Sequence, residues 1–265
     1  MNKNNRLSNK LKSLEKELTK LSSFAVAFSG GADSALLLTV AKKIKPVQLL
    51  AITLSSQFVP KSEIEFTKKY AKTLGVEHIC LDVDIFKNQD VISNNLERCY
   101  FCKKQMFSMI RDIAKKYEIT TLLHGVNLDD LKDFRPGLKA SEEIGFLSPF
   151  VDTGFSKKDI RALSKQMRLE TWNKPSQSCF ATRIAYNEII TIEKLFMVEN
   201  AENFLSDLGF VHIRVRCHEK TARIEVDPEQ IDKLLDFENR TKISLYFLQL
   251  GFDRTSIDID GYKIK

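Results

Sequence analysis

Between positions 24 and 44 the chain reads FAVAFS, then Gly30-Gly31, then ADSALLLTVAKKI. The apolar opening is short enough for one buried strand, and the stretch after the glycines has the length and composition of a helix. Only a tight turn fits between them. The same alternation continues with VQLLAITL (47–54) as a second buried strand, SEIEFTKKYAKTLG as a helix closed by Gly75, and VEHICLDVD as a third strand. KKQMFSMIRDIAKKY then reads as a helix and TTLLHG as a fourth strand. Strands alternating with helices predict an α/β domain, a parallel sheet with helices on both faces, because each parallel crossover lays a helix over the sheet. Ahead of it, Leu7, Leu11, Leu14, Leu18 and Leu21 recur at spacings of four and three, one apolar stripe on an opening helix.

Past position 185 the rhythm changes. A long amphipathic helix (188–208), two adjacent strands (VHIRVRC and TARIEV), helices between 228 and 250 and a final TSIDID strand predict a smaller α+β domain. The expected division is therefore 1–185 and 186–265. The second part is assigned substrate-phosphate binding and oligomerisation, and self-association into a homo-oligomer is expected. No repeat, low-complexity tract or glycine-rich linker marks the boundary.

With 43% hydrophobic and 29% charged residues over 265 positions, the chain belongs with globular rather than disordered proteins. No apolar run approaches the roughly 20 residues that span a bilayer, and the opening MNKNNRLSNKLKSLEKEL lacks a signal-type apolar segment. A cytoplasmic protein without membrane partners is expected. The net charge of +6 is spread through Lys/Glu-alternating helices, so it does not separate a small anionic substrate from nucleic acid. Cys80, Cys99, Cys102, Cys179 and Cys217 are an odd number of thiols for a reducing compartment, which favours metal or catalytic roles over a disulfide framework. The R-C-Y-F-C-K-K stretch (98–104) sets Cys99 and Cys102 three apart, a spacing shared by zinc sites, redox pairs, iron-sulfur sites and buried small residues.

Ser29-Gly30-Gly31-Ala32-Asp33-Ser34 stands where the first strand enters its helix. Two glycines let backbone N–H groups approach an anion, the hydroxyls add donors and the helix start adds partial positive charge, which suits a phosphate chain. The stretch is no Walker A loop, since GxxxxGK[ST] is absent. A carboxylate at Asp33 is out of place in a bare anion hole, so it is expected to act through a magnesium ion bridging it to phosphates. An ordinary turn with Asp33 or Ser34 capping the helix is the plainer alternative.

SGGADS resembles the SGGxDS signature of the PP-loop ATP pyrophosphatases, which cleave ATP between the α- and β-phosphates and adenylate a substrate. Three further stretches, GVNLDDLKDFRPGLKASEEIG (125–145), ETWNKPSQSCFATRI (170–184) and GFVHIRVRCHEKTARIEV (209–226), are similar to the LarE sulfur transferases over nearly the whole chain. The resemblance implies an ATP- and magnesium-dependent sulfur transferase that adenylates a carboxylate of pyridinium-3,5-biscarboxylic acid mononucleotide and converts it to a thiocarboxylate, releasing pyrophosphate and AMP. A carboxylate resists nucleophiles, whereas an acyl-adenylate expels AMP when sulfide attacks. Ser29, Gly30, Gly31, Asp33, Ser34, Gly125 and Arg135 are then the ATP-binding set, with Asp33 also catalytic. Arg214 and Arg216 alternate along one strand and so share a face, where with Arg183 they are expected to grip the substrate's phosphate.

The family divides on sulfur chemistry. In one subset the cysteine at the position of Cys179 gives up its own sulfur. In the other, three cysteines hold a 4Fe-4S cluster whose open corner carries hydrosulfide from a separate sulfide donor. Cys99, Cys102 and Cys179 resemble the second subset and are the expected metal ligands and catalytic thiols. A zinc tetrahedron with His78, His124, His212 or His218 is the rival metal site. Cys80 reads as a small core hydrophobe, and Cys217 can face either the site or the interior. A tRNA-thiolating enzyme and a non-enzymatic metal-binding module are the other two readings. The tail carries no basic stripe for RNA, and the intact loop speaks for activity.

Overall fold

The computed structural model describes residues 3–132, 136–175 and 178–263. The chain forms two compact units, one of residues 1–56, 61–84 and 99–177, the other of 57–60, 85–98 and 178–265. A single boundary at 185/186 was expected from pattern. Instead the second unit begins at Ser178 and recruits the two stretches that follow the second and third strands. Backbone hydrogen bonds between residues remote in sequence do this: Phe180 N donates to Phe58 O at 2.9 Å, Asn187 N to Asn94 O at 3.0 Å and Ile190 N to Ile92 O at 2.9 Å. Periodicity reports local structure and is blind to such pairings.

The first unit runs α1 (Lys3–Thr19), β1 (Ser23–Ala27), α2 (Ala32–Lys43), β2 (Gln48–Ser56), α3 (Lys61–Leu74) and β3 (Glu77–Val83). After an excursion containing the short α4 (Gln89–Ile92), it resumes with α5 (Arg98–Lys116), whose first residue still belongs to the second unit. There follow β4 (Leu122–Leu123), α6 (Pro136–Ile144), β5 (Phe146–Leu147), α7 (Pro149–Asp152) and α8 (Lys157–Gln166). The five strands are parallel in the order β3-β2-β1-β4-β5. Central β1 is apolar on both faces: Phe24 and Val26 join Leu14, Leu18, Leu36, Phe150 and Ile160 on one side, while Ala25 joins Ile52, Phe107, Ile110 and Phe146 on the other. Each fully buried side chain of this size contributes about 1.5–3 kcal/mol. β3 is an edge strand and mostly half-exposed, so Cys80 is half-buried rather than a core residue. β5, only two residues long, leaves too little pattern to be read from sequence.

From β1 the chain winds outward to β2 and β3, then returns to β4 on the other side. The connections leaving the carboxyl ends of β1 and β4 therefore part in opposite directions, which in a doubly wound sheet opens a crevice for ligands. SGGADS leaves β1 there and Gly125 closely follows β4.

The second unit contains α9 (Ile192–Asp207), β6 (Arg214–His218), β7 (Thr221–Glu225), α10 (Ile231–Leu235), α11 (Phe237–Leu250) and β8 (Arg254–Ile257). β6 and β7 are antiparallel, β7 and β8 parallel. α9 starts at Ile192, later than its apolar pattern suggests, because the Thr191 side chain accepts from Lys194 N at 3.2 Å and caps it there. Among the described residues no helix is long and apolar enough to cross a membrane.

Candidate active site

The loop after β1 is held open as a cradle by its own hydroxyls. Ser29 N donates to Ser34 Oγ at 3.3 Å, the two serine hydroxyls lie 3.1 Å apart, and Ser34 Oγ donates to Gly31 O at 3.2 Å. Gly30 has φ +75°, and a side chain there would meet Thr67 Cγ2 at 2.9 Å, so this position requires glycine for conformation and for space. Gly31 caps α2 with extended backbone and no side-chain capping bond. Its N–H has no acceptor among the described residues. Gly125 backs onto the start of α2: a Cβ there would meet Ser34 N at 2.9 Å and Asp33 C at 3.0 Å. A larger residue after β4 would push the cradle out of shape. Arg135 lies outside the described residues.

Asp33, in the first turn of α2, has only 22% of its side chain exposed. Burial raises its pKa, against the pull of Lys157 and with the repulsion of Asp130. Oδ2 accepts from Lys157 Nζ, at the start of α8. Oδ1 is buried and has no side-chain or backbone partner among the described residues. The loop after Gly125 supplies more carboxylate: Asp130 Oδ2 accepts from Asn127 N at 3.0 Å and Nδ2 at 2.8 Å, and Asp129 Oδ2 accepts from Lys157 N at 2.8 Å. Magnesium is commonly held by one or two carboxylates plus substrate phosphates. A buried carboxylate oxygen left without a hydrogen-bond partner among the described residues, beside a glycine cradle, fits that demand. His124, just before Gly125, is held neutral: burial, then Lys103, lowers its pKa to about 4, and its ring bonds Ser148 Oγ at 2.6 Å.

Two lysines at this site were not singled out by sequence reasoning. Lys157 is one. The other is Lys174, inside the ETWNKPSQSC stretch, whose Nζ reaches Glu63 Oε2 at 2.6 Å and Gly30 O at 3.1 Å and lies 3.8 Å from the Phe66 ring centroid. Isolated lysines in a lysine-rich chain carry no distinguishing signal. Lys174 stood in a stretch already matched to the family, and that was the available clue.

Cys99 and Cys102 lie within the first turn of α5, which begins earlier than the aromatic-flanked sequence suggested. Their spacing therefore sets both thiols on one helix face, each half-buried. Cys179, also half-buried, precedes a short 3₁₀ turn (Phe180–Arg183) of the second unit. Among the described residues no group of three or more His, Cys, Asp or Glu side chains is gathered to hold a metal ion. The α5 pair fits two ligands of a cluster; a third is not brought into that group. Each histidine already has an oxygen partner within its unit: His78 with Thr53, His124 with Ser148, His212 with Asp227 and His218 with Glu188. Cys217 faces the interior, where burial raises its thiol pKa to about 11.

The three arginines differ sharply. Arg183 is 6% exposed and spends its guanidinium inside the fold, on Glu202 (2.9 and 3.2 Å) and on the carbonyl and hydroxyl of Ser178 (both 2.7 Å). Arg216 forks onto Glu225 and donates to Thr182 O at 3.0 Å. Arg214, on the same face of β6, has no carboxylate within ion-pair distance among the described residues and stacks 4.6 Å from the Tyr262 ring centroid. Burial, with Arg183 and Arg216 nearby, lowers its pKa. Arg98, the residue before Cys99, is also buried and donates to Ala181 O at 3.0 Å.

A PP-loop domain family matches residues 3–134. An uncharacterized protein of Synechocystis is 34% identical over 257 residues, 97% of this chain and 96% of its own. An uncharacterized protein of Methanocaldococcus jannaschii is 32% identical over 96% of each chain. The pyridinium-3,5-bisthiocarboxylic acid mononucleotide synthase of Lactiplantibacillus plantarum, a LarE protein, is 32% identical over 97% of this chain and 93% of its own. Near-complete coverage extends the relationship beyond the nucleotide loop to the arginine strand, and the chain belongs to the LarE family of PP-loop, ATP-using sulfur transferases.

Proposed function

We propose that this protein converts a carboxylate of pyridinium-3,5-biscarboxylic acid mononucleotide into a thiocarboxylate for nickel-pincer cofactor synthesis. The single observation that carries the nucleotide half is the glycine cradle beside a buried Asp33 oxygen with no partner among the described residues. The cradle N–H groups receive the ATP phosphates, and Asp33 would hold a magnesium ion, which when bound would supply Lewis-acid neutralisation of negative charge on the phosphates. A substrate carboxylate oxygen attacks the α-phosphorus and pyrophosphate leaves; hydrosulfide sulfur then attacks the acyl carbon and AMP leaves. Arg214, of these three arginines the one with no ion pair among the described residues, holds the substrate phosphate, and Arg183 and Arg216 shape the field around it.

For sulfur delivery the reading is that Cys99, Cys102 and Cys179 would hold a 4Fe-4S cluster, which when bound would supply hydrosulfide. Support comes from the two thiols on one face of α5 and from the near-complete coverage of the relationship, which includes the segment of Cys179. Anaerobic purification followed by iron and sulfide analysis, then reaction with substrate, ATP, magnesium and sulfide, tests it. Expected are bound iron, multiple turnovers, and joint loss of iron and sulfur transfer in Cys99→Ala, Cys102→Ala and Cys179→Ala, with adenylation and Cys80→Ala unaffected. An iron-free protein that loses the mass of hydrogen sulfide at Cys179 after one turnover overturns the cluster. Failure to form AMP and pyrophosphate at all overturns the function.

A further inference from the structure

We infer that Lys174 is a positioning residue for nucleotide binding, holding the Gly30–Gly31 peptide so that its N–H faces the phosphates. The inference rests on the proposal that ATP occupies the loop. The peptide between the two glycines is planar and trans, so its C=O and N–H point in opposite directions. Lys174 Nζ takes the Gly30 carbonyl at 3.1 Å. With that edge engaged, the Gly31 N–H turns the other way, and it is this N–H that finds no acceptor among the described residues. Gly30, at φ +75°, occupies a conformation that glycine exchanges for others at little steric cost. A free glycine-glycine peptide would sample the flipped orientation, which presents a carbonyl oxygen to the phosphates instead of an N–H.

Lys174 is itself fixed from both ends. Its ammonium pairs with Glu63 in the first turn of α3 at 2.6 Å and lies over the Phe66 ring, and the side chain is only 19% exposed. Its backbone carbonyl accepts from Arg161 Nη2 of α8 at 3.0 Å, and Arg161 Nη1 also reaches Trp172 O at 3.3 Å. A lysine with its charge balanced by Glu63 and its backbone pinned to α8 is poorly placed to follow a substrate. It is well placed to keep one carbonyl still.

The test compares Lys174→Met, which keeps the methylenes over Phe66 and loses the charge and donor, with Lys174→Arg, which restores both. Lys42→Met is the control: Lys42 also donates to a glycine carbonyl, Gly75 O at 2.7 Å, at the far end of α2 from the loop. Calorimetric titration with ATP and with pyrophosphate, the KM for ATP against kcat, and the Gly31 amide signal in nitrogen-15 spectra are measured. Lys174→Met is expected to weaken ATP and pyrophosphate binding about tenfold or more, raise KM with kcat changed less than about threefold, and suppress the Gly31 shift on adding pyrophosphate. Lys174→Arg should recover most of the binding, and Lys42→Met should match wild type. If Lys174→Met does not fold, Lys174→Gln carries the test, with a loss of about threefold or more expected. Wild-type affinity and a wild-type Gly31 shift in Lys174→Met or its substitute overturn the inference. If wild-type protein itself binds neither ATP nor pyrophosphate, the nucleotide reading fails instead.

Discussion

The loop after β1 and the arginine strand β6 both looked like anion sites, yet they treat their polar groups in opposite ways. At the loop, groups are left unspent: among the described residues Asp33 Oδ1 is buried without a partner and Gly31 caps α2 without a side-chain bond. On β6 and the segment before it, nearly everything is spent. Arg183 and Arg216 are each forked onto a glutamate, and of the three arginines Arg214 is the one with no ion pair among the described residues. A buried unsatisfied polar group carries a penalty of roughly 1–3 kcal/mol, so its persistence points to a ligand. A satisfied one points to the fold. The number of charges in a region says less about binding than the number left over.

Three experiments press on that contrast. The largest effect is expected at Asp33. Asp33→Asn keeps the shape and removes the charge proposed to act through magnesium, and pyrophosphate release should fall by about 10³-fold or more with the melting temperature near wild type. A wild-type rate would mean that the unspent oxygen has no catalytic meaning.

Next come the arginines, where two substitutions should separate cleanly. Arg183→Ala strands Glu202 in a buried site and should cost about 3–5 kcal/mol in denaturant unfolding, since that pair has side-chain exposures of only 7% and 14%. Arg214→Ala breaks no ion pair among the described residues and should leave stability within about 1 kcal/mol while raising the substrate KM about tenfold or more. If the two variants behave alike, the division between fold arginine and ligand arginine collapses.

The smallest effect concerns pH. His124 stays neutral because burial among Phe107, Phe146 and Ser148 lowers its pKa from 6.5 to about 4. In the unfolded chain it protonates first, so the stability it contributes is fully present above pH 6.5 and is lost as pH falls from there towards about 4. The loss amounts to about 3 kcal/mol. Equilibrium unfolding at pH 7 and pH 4.5 measures it, and His124→Gln should flatten this part of the profile. An unchanged profile would place the acid sensitivity elsewhere.

Much of the first unit was legible because it is built from local pattern. FAVAFS followed by two glycines and a helix needs no long-range information, and the same holds for the helices whose apolar stripes face β1 to β3. The resemblance of SGGADS and the later stretches led to the family and so to the cysteines and arginines. β5 was not legible, since two residues carry no period, and α5 was read as starting after the cysteines because Tyr100 and Phe101 obscure its first turn. Lys157 and Lys174 were missed because nothing local distinguishes a lysine that meets Asp33 or Gly30 from one in water.

What belonged to the sequence, then, was the succession of strands and helices and the chemical character of the loop, for these depend on neighbours within a few positions. Tertiary structure alone decided the pairing of charges and the limits of the units. Residues 57–60 and 85–98 join Ser178 and beyond through hydrogen bonds that span some ninety to a hundred and twenty positions, as from Asn94 to Ala185 and from Phe58 to Phe180. Which of the three arginines is left without an ion pair among the described residues was decided in the same way, by Glu202 and Glu225 reaching Arg183 and Arg216. Burial makes an unpaired charge costly, and burial is a property of the packed chain.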